Sequence, residues 1–169
     1  MTTTYILSQL CGIMAFGFAL AGFLNGNDKT LKLLIGASAV SMAAHLALLE
    51  AWAGMAISLV AAARYIVSSY TKNIGLMALF MAVGVAYGAF IHQTWSDALP
   101  ILANILATFA IFNLTGPSLR VCLVLTSCFW ITYNGIHGSV VGVGSEGFYM
   151  LANLFHIWQH TRKPVTYNI

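Results

Sequence analysis

The sequence predicts an all-α integral membrane protein with seven transmembrane helices. Of its 169 residues, 60% are apolar and 7% are charged, whereas an ordinary soluble domain is roughly a quarter charged. The apolar residues fall into seven runs separated by short breaks with turn or cap chemistry. The basic residues in those breaks sort to one side of the bilayer when the runs alternate in direction. At about 20 residues per span, the chain has room for about seven or eight helices and no extramembrane domain.

The seven runs differ in how clearly they are separated. They cover Tyr5 to Leu24, Leu31 to Trp52, Ala53 to Tyr70, Ile74 to His92, Ala98 to Leu114, Leu119 to His137, and Gly147 to His160. Only Ala53-Gly54 separates the second run from the third. The stretch from Gly138 to Glu146 is interpreted as the last loop, so the seventh run is short for a span.

The charged residues predict the topology. With the N-terminus outside, six of the seven basic residues face the cytoplasm: Lys29, Lys32, Lys72, Arg120, Arg162 and Lys163. Glu50, Asp97 and Glu146 then fall on the other side. An excess of Lys and Arg in cytoplasmic loops is typical of membrane proteins. We therefore expect a multi-pass protein with an external N-terminus and a cytoplasmic C-terminus.

The chain repeats itself at an offset of 88 residues. The offset superposes Ser8 on Ser96, Ala15 on Ala103, Ala19 on Ala107, and Asn25 on Asn113. Two parallel three-helix units joined by one extra helix place a site at their interface near the bilayer midplane. The predicted units are residues 1–72, a linker helix at 73–95, a second bundle at 96–163, and a cytoplasmic tail at 164–169. In the linker helix, Gly84 and Gly88 predict close helix packing.

Polar side chains share one face on several spans, which indicates a cavity or a helix interface. In the sixth run, Trp130, Tyr133, Asn134 and His137 follow a spacing of three, four and seven residues, and Tyr149, Asn153, His156 and His160 share a face of the seventh. An aromatic ring beside amide groups suits a neutral polar solute. The alternative is hydrogen bonding between helices, which is common in membrane bundles. The candidate solute-binding residues are Trp130, Tyr133, Asn134, Asn153, His156, Asn104 and His45.

Three further residues are candidates for gating. Arg64 is the basic residue that lies well inside a run, where it either snorkels towards the cytoplasm or contacts an anion at the inner mouth. Gly12 and Pro100 superpose at the 88-residue offset. Both first helices of the predicted repeat therefore have a possible flexible point at one depth.

Several classes of function are excluded or disfavoured. Seven scattered basic residues form no patch for nucleic acid. Cys11, Cys122 and Cys128 lie in apolar runs without the spacing of a disulfide framework or a metal site. The chain has no paired carboxylates and no catalytic motif, so we expect neither an enzyme nor a cofactor. Because three of its four acids are assigned to the outer face, a facilitator is favoured over an ion-coupled pump.

Several short motifs in order give the chain a resemblance to a family. They are Gly12-Ile13-Met14-Ala15-Phe16, Arg64, Ser127-Cys128-Phe129-Trp130, Asn134, Gly138-Ser139, Glu146-Gly147 and Asn153. Along its whole length the chain resembles the YgjV-type bacterial inner-membrane proteins. This resemblance implies a bacterial inner-membrane location and carries no established substrate.

That family is in turn similar to the SWEET sugar facilitators and the nicotinamide riboside transporters, which are built as three plus one plus three helices. The resemblance implies a central site made by an aromatic residue on the second helix and an Asn on the third helix of each unit. In the second unit these positions are Trp130 and Asn153. In the first unit, Met42 matches Trp130, and Ala61 or Ala62 is the expected match to Asn153.

The predicted function is transport of a small polar solute by rocking of two three-helix bundles. The alternative is a non-transporting membrane protein that binds a lipid, a solute or a protein partner; an intramembrane enzyme is a third, weaker reading. A continuous polar pathway favours transport, and a dry, tightly packed interface favours the alternative. Besides the solute, the expected partner is the lipid bilayer. The sequence does not determine whether the chain forms a homo-oligomer.

Overall fold

A computed structural model describes residues 3–24, 28–71, 73–90, 94–114 and 116–162. These residues form seven α-helices and no β-strand, as the sequence predicts. The helices are α1 (Thr3–Leu24), α2 (Asp28–Leu48), α3 (Trp52–Ser68), α4 (Ile74–Phe90), α5 (Ala98–Asn113), α6 (Gly116–Ile136) and α7 (Val140–Arg162), with a 3₁₀ turn at Trp95–Asp97 before α5.

The turn between α2 and α3 lies earlier than the sequence predicts. Glu50 adopts a left-handed backbone with φ of 58°, and the amide of Ala51 donates to the Leu46 carbonyl at 2.9 Å. This pattern ends α2 as a left-handed C-terminal cap does. Gly54, expected in the break, lies inside α3 instead.

The turn between α6 and α7 differs from the prediction as well, because it is shorter. Gly138 has a φ of 69°, which a glycine adopts without steric cost. Ser139 then caps α7, because its hydroxyl accepts the amide of Gly142 at 2.9 Å. The assignment of Gly138 to Glu146 to an outer loop is therefore wrong: α7 begins at Val140, and Glu146 lies nearly two turns inside it.

Short turns make successive helices antiparallel, so α1, α3, α5 and α7 all begin at one end of the bundle, here called the N-terminal end. Helix α2 packs between α1 and α3, and α6 packs between α5 and α7. Helix α3 also contacts α5, and α1 contacts α7, which closes these six helices into a ring. Both predicted units thus have their second helix in the middle.

Helix α4 packs against α3 and α5. A Cβ atom at Gly84 would collide with the side-chain amide of Asn104, and one at Gly88 would collide with Ile101. Gly84 and Gly88 therefore allow α4 to approach α5 closely, as small residues do between membrane helices.

The buried residues are mostly small, and many large apolar side chains are exposed. Ala15, Ala43, Ala56, Ala103 and Ala110 are almost fully buried. By length and composition, the described part of the chain has two helical stretches able to cross a membrane, Thr3–Gly22 and Pro117–Ile136. Shorter apolar helical stretches are Lys32–Leu48, Trp52–Ser68, Ile74–Ala86 and Trp95–Ala110.

Candidate functional site

A cavity of about 250 Å³ lies in the centre of the ring of six helices. All six contribute side chains to its wall, from Ala19 on α1 to Asn153 on α7, and α4 contributes none of the described ones. Its volume is slightly below the roughly 300–1,000 Å³ of pockets for drug-sized ligands. The cavity therefore has room for a small solute.

The cavity wall follows the 88-residue offset found in the sequence. Sixteen of its eighteen lining residues form pairs at this separation. On α1 and α5 the pair is Ala19 and Ala107; on α2 and α6 the pairs are Ile35 and Leu123, Ser38 and Thr126, Ala39 and Ser127, and Met42 and Trp130. The two middle helices thus present corresponding positions to the same space.

Helices α3 and α7 show the same correspondence. The pairs are Ser58 and Glu146, Ala61 and Tyr149, and Tyr65 and Asn153. By this pairing the residue that matches Asn153 is Tyr65, and not Ala61 or Ala62 as expected from the sequence. No insertion separates the two halves before this point. In most pairs the second member is the more polar or the larger, so the polar groups concentrate on α6 and α7.

The structure brings Trp130, Asn134 and Asn153 to this one cavity. The amide nitrogen of Asn134 donates to the Trp130 carbonyl at 2.9 Å, while its Oδ1 is buried without a partner. Asn153 donates to the Tyr149 carbonyl at 2.8 Å and accepts from Arg120 at 3.0 Å. Asn134 thus has acceptor capacity left, whereas both groups of Asn153 already have protein partners. Their contact with a solute stays a prediction.

Glu146 is the main residue that the sequence interpretation missed. Its carboxylate accepts a hydrogen bond from the Ser127 hydroxyl at 2.9 Å, and both residues line the cavity. Two signals could have found it. Glu146 lies three residues before Tyr149 and seven before Asn153, on the face already singled out, and the 88-residue offset pairs it with Ser58.

Arg64 lines the cavity from α3 and is 5% exposed. Its Nη1 donates to the Thr108 hydroxyl and to Oδ1 of Asn104 at 3.4 Å, and both partners lie in the middle of α5. The Arg64 side chain therefore does not snorkel to the end of α3. It leans towards the N-terminal end, as helical side chains do. Asn104 is buried as the partner of Arg64, outside the cavity wall.

His45 joins the two halves at the N-terminal end and does not line the cavity. Its Nδ1 lies 2.6 Å from the Ser8 carbonyl, and its Nε2 lies 2.5 Å from the Ser139 hydroxyl. The Ser8 contact fixes the ring against α1, and the Ser139 contact reaches α7. Tyr5 strengthens the same junction by donating to the Gly138 carbonyl at 3.3 Å.

Tyr133 forms a second junction at this end. It is fully buried with Leu46 and Ala51, and its hydroxyl accepts the backbone amide of Gly54 at 2.9 Å. A Cβ atom at Gly54 would collide with the Tyr133 ring. Tyr133 is thus placed in a packed core that links α6 to α3, beside the cavity rather than in its wall.

The remaining predicted residues have different surroundings. Pro100 is the third residue of α5, where a proline costs no helical hydrogen bond. Gly12 lies within α1, and a Cβ atom there would be 3.2 Å from the Cβ of Val141 on α7. The side chain of His156 lies outside the described residues. The gating roles of Gly12, Pro100 and Arg64 stay predictions.

Comparison with known proteins connects the chain to the bacterial inner membrane. The model of a family described as bacterial inner membrane protein, Imp-YgjV, matches residues 6–164. The chain is similar to the inner membrane protein YgjV of Escherichia coli strain K12, with 25% identity over 168 residues, which cover 96% of this chain and 91% of that protein. No solved structure matches the chain.

Proposed function

Because this chain belongs to the Imp-YgjV family of bacterial inner membrane proteins, we propose that it crosses the inner membrane seven times and transports a small polar solute. The solute binds in the central cavity, and two three-helix bundles rock around it. One observation carries this proposal: the cavity is lined by positions that correspond at 88 residues in the two halves. A site at the interface of parallel repeats is typical of transporters.

The contacts at the N-terminal end support one of the two states that such a transporter needs. His45 with Ser139, and Gly54 with Tyr133, join the halves at this end. The cavity extends from Asn134 and Glu146 towards the other end, where Tyr65 lines it one turn before α3 ends. In the proposed cycle these junctions break when the opposite end closes.

The alternative of a non-transporting binding protein is less well supported. It requires a dry, tightly packed interface, whereas the space between the halves holds the polar side chains of Asn134, Ser127 and Glu146.

The argument that favoured a facilitator over an ion-coupled pump loses its basis in the structure. It relied on the lack of a carboxylate inside the bundle, and Glu146 supplies one.

A reversible disulfide cross-link between α1 and α7, here called the lock, tests the proposal. Gly12→Cys with Val141→Cys places two Cβ atoms about 3.2 Å apart, so an outward shift of a few tenths of an ångström brings them into the range of roughly 3.5–4.5 Å found in disulfides. The protein, with Cys11, Cys122 and Cys128 replaced by Ala, is reconstituted into liposomes and assayed with radiolabelled sugars, nucleosides, vitamins and amino acids. Oxidation should stop uptake and a reductant should restore it.

Two controls make the outcome decisive. The single variant Gly12→Cys should transport equally with and without oxidant. Uptake that continues in the fully cross-linked protein contradicts rocking of the halves. If the unlocked protein moves none of these solutes, the binding-protein alternative takes precedence.

A further inference from the structure

Two opposite charges line the central cavity without pairing with each other. Glu146 enters from α7 and Arg64 from α3. The carboxylate of Glu146 is bonded to the Ser127 hydroxyl, and the guanidinium of Arg64 is bonded to neutral groups of Thr108 and Asn104. Charges inside a membrane bundle are costly and usually pair or mark a substrate path.

We propose that the cavity binds a small zwitterion with the dimensions of an α-amino acid, its ammonium group at Glu146 and its carboxylate at Arg64. This inference rests on the proposed function and names the solute class of the same site. A solute that carries both charges compensates both residues at once. A purely anionic, cationic or neutral solute leaves at least one buried charge without a counterion, which is unfavourable.

Arg64 has the capacity to bind the carboxylate. The guanidinium has five N–H donors in a planar fork that matches a carboxylate in two-point contact. Both of its described hydrogen bonds leave from Nη1, and its Nε is buried without a partner. The contact with Thr108 holds the fork at the level of mid-α5, where the cavity passes.

The opposite wall has the groups that an ammonium ion needs. Glu146 is an acceptor with a single described hydrogen bond, from Ser127. An ammonium group has three donors to share, and the hydroxyl oxygen of Ser127 lies beside the Glu146 carboxylate in the same wall. The ring of Trp130 lines the same cavity, and aromatic faces attract ammonium groups.

The spacing of the two charges favours a bridging solute over a direct ion pair. Ser58 on α3 corresponds to Glu146 on α7, and Arg64 lies six residues beyond Ser58. The helical rise therefore separates the levels of Arg64 and Glu146 by about 9 Å. The long Arg64 side chain leans back over part of this distance, and a small zwitterion fits the remainder. The cavity of about 250 Å³ sets the same size limit.

Analogues of the solute that lack one charged group test the roles of Arg64 and Glu146 without any change in the protein. The thermal unfolding of the purified protein is measured with each of the twenty L-amino acids in turn, because a ligand that binds the folded state raises the Tm. The most effective amino acid is then compared with its amide, which lacks the carboxylate, and with its des-amino acid, which lacks the ammonium group. Each analogue should bind roughly thirtyfold more weakly or worse, since truncating one partner of a buried charge pair costs about 2–5 kcal/mol.

A protein variant tests the ammonium side. Glu146→Gln keeps the shape and the hydrogen bond from Ser127 but removes the charge, and should lose the response to the amino acid. The control Glu50→Gln changes an acid in an exposed turn and should respond like the unmodified protein. If Glu146→Gln does not fold, the comparison of the three solutes decides alone.

The results that would contradict binding of a zwitterion differ from those that would contradict the proposed transport. Equal binding of the amino acid, its amide and its des-amino acid overturns the inference, as does an unchanged response in folded Glu146→Gln. If sugars or nucleosides raise the Tm and no amino acid does, the zwitterion is excluded while the proposed transport stands. If the disulfide between Gly12→Cys and Val141→Cys has no effect on amino-acid uptake, the rocking mechanism is contradicted. The zwitterionic class of the solute is not contradicted by that result.

Discussion

The imidazole of His45 in α2 and the hydroxyl of Ser139 at the start of α7 hydrogen-bond directly across the two halves of the bundle, with 2.5 Å between Nε2 and Oγ. The same hydroxyl accepts the amide of Gly142 and so caps α7. One serine therefore begins a helix and joins it to the opposite half. This double use connects the local structure of α7 to the closure of the N-terminal end.

Replacing Ser139 by Ala should lower the free energy of unfolding by about 2–4 kcal/mol. The variant leaves a buried nitrogen of His45 without a partner, and a buried orphan group costs about 1–3 kcal/mol. Loss of the helix cap adds about 1 kcal/mol. Thermal unfolding in detergent measures the change. Ser69→Ala is the control, because the Ser69 hydroxyl donates to the Ile66 carbonyl one turn back rather than to another helix. If both variants unfold alike, the contact of Ser139 with His45 contributes nothing to stability.

Replacing Gly54 by Ala should destabilise the protein by about 1–3 kcal/mol or more. The added Cβ atom collides with the ring of Tyr133, and overpacking a well-packed core has that cost. The matched control is Gly17→Ala in α1, where a Cβ atom meets nothing within 4 Å. That control should be neutral or stabilising by up to about 1 kcal/mol, because alanine favours the helix. Equal unfolding temperatures for the two variants would contradict the close contact of Gly54 with Tyr133.

The number and approximate limits of the helices could be predicted because composition and apolar run length determine them. The turns were harder. Ala53-Gly54 looks like a break in the sequence, but Gly54 is a glycine because Tyr133 packs against it 79 residues later. The true turn uses Glu50 in a left-handed conformation, which no local sequence pattern predicts.

The polar face of α6 could be predicted, but its division into separate roles could not. Trp130, Tyr133 and Asn134 lie within two turns of one helix, and spacing alone gives them one role. In the structure, Trp130 and Asn134 line the cavity, while Tyr133 points into a core built from α2 and α3. The difference arises from which helices surround α6, and this is a property of the whole bundle.

Glu146 was misplaced for a local reason. The segment from Gly138 to Gly147 contains four glycines, and such a stretch usually indicates a loop. Only Gly138 adopts a positive φ among the glycines of the described residues. The others lie in α7, where Gly142 packs against Asn134. Close packing between α7 and α6, rather than a turn, accounts for this glycine.

The predicted topology can be tested at two turns of opposite ends. Glu50 is exposed between α2 and α3, and Tyr70 is exposed just after α3. In a background without the three native cysteines, Glu50→Cys should react with an impermeant thiol reagent added outside intact cells. Tyr70→Cys should react only after the membrane is opened. The reverse pattern would place the N-terminus in the cytoplasm. Labelling of both sites from outside would contradict a crossing of the membrane by α3, which separates them.

Asn153 allows a structural role to be separated from a role in solute binding. Its Oδ1 accepts from Arg120 at 3.0 Å, and hydrogen bonds to charged groups contribute about 1.5–3 kcal/mol. Asn153→Ala should therefore lower the free energy of unfolding by about that amount. Asn153→Asp keeps the acceptor, adds an ion pair with Arg120 and should restore stability.

The response to solute separates the two roles of Asn153. If Asn153 only holds Arg120, the Asp variant should also restore the Tm response to the bound solute. If Asn153 contacts the solute, its response should remain altered in Asn153→Asp, because a second carboxylate then lines the cavity beside Glu146. A response that is unchanged in both variants would exclude Asn153 from the solute site and leave Trp130, Asn134 and Glu146 as its wall on α6 and α7.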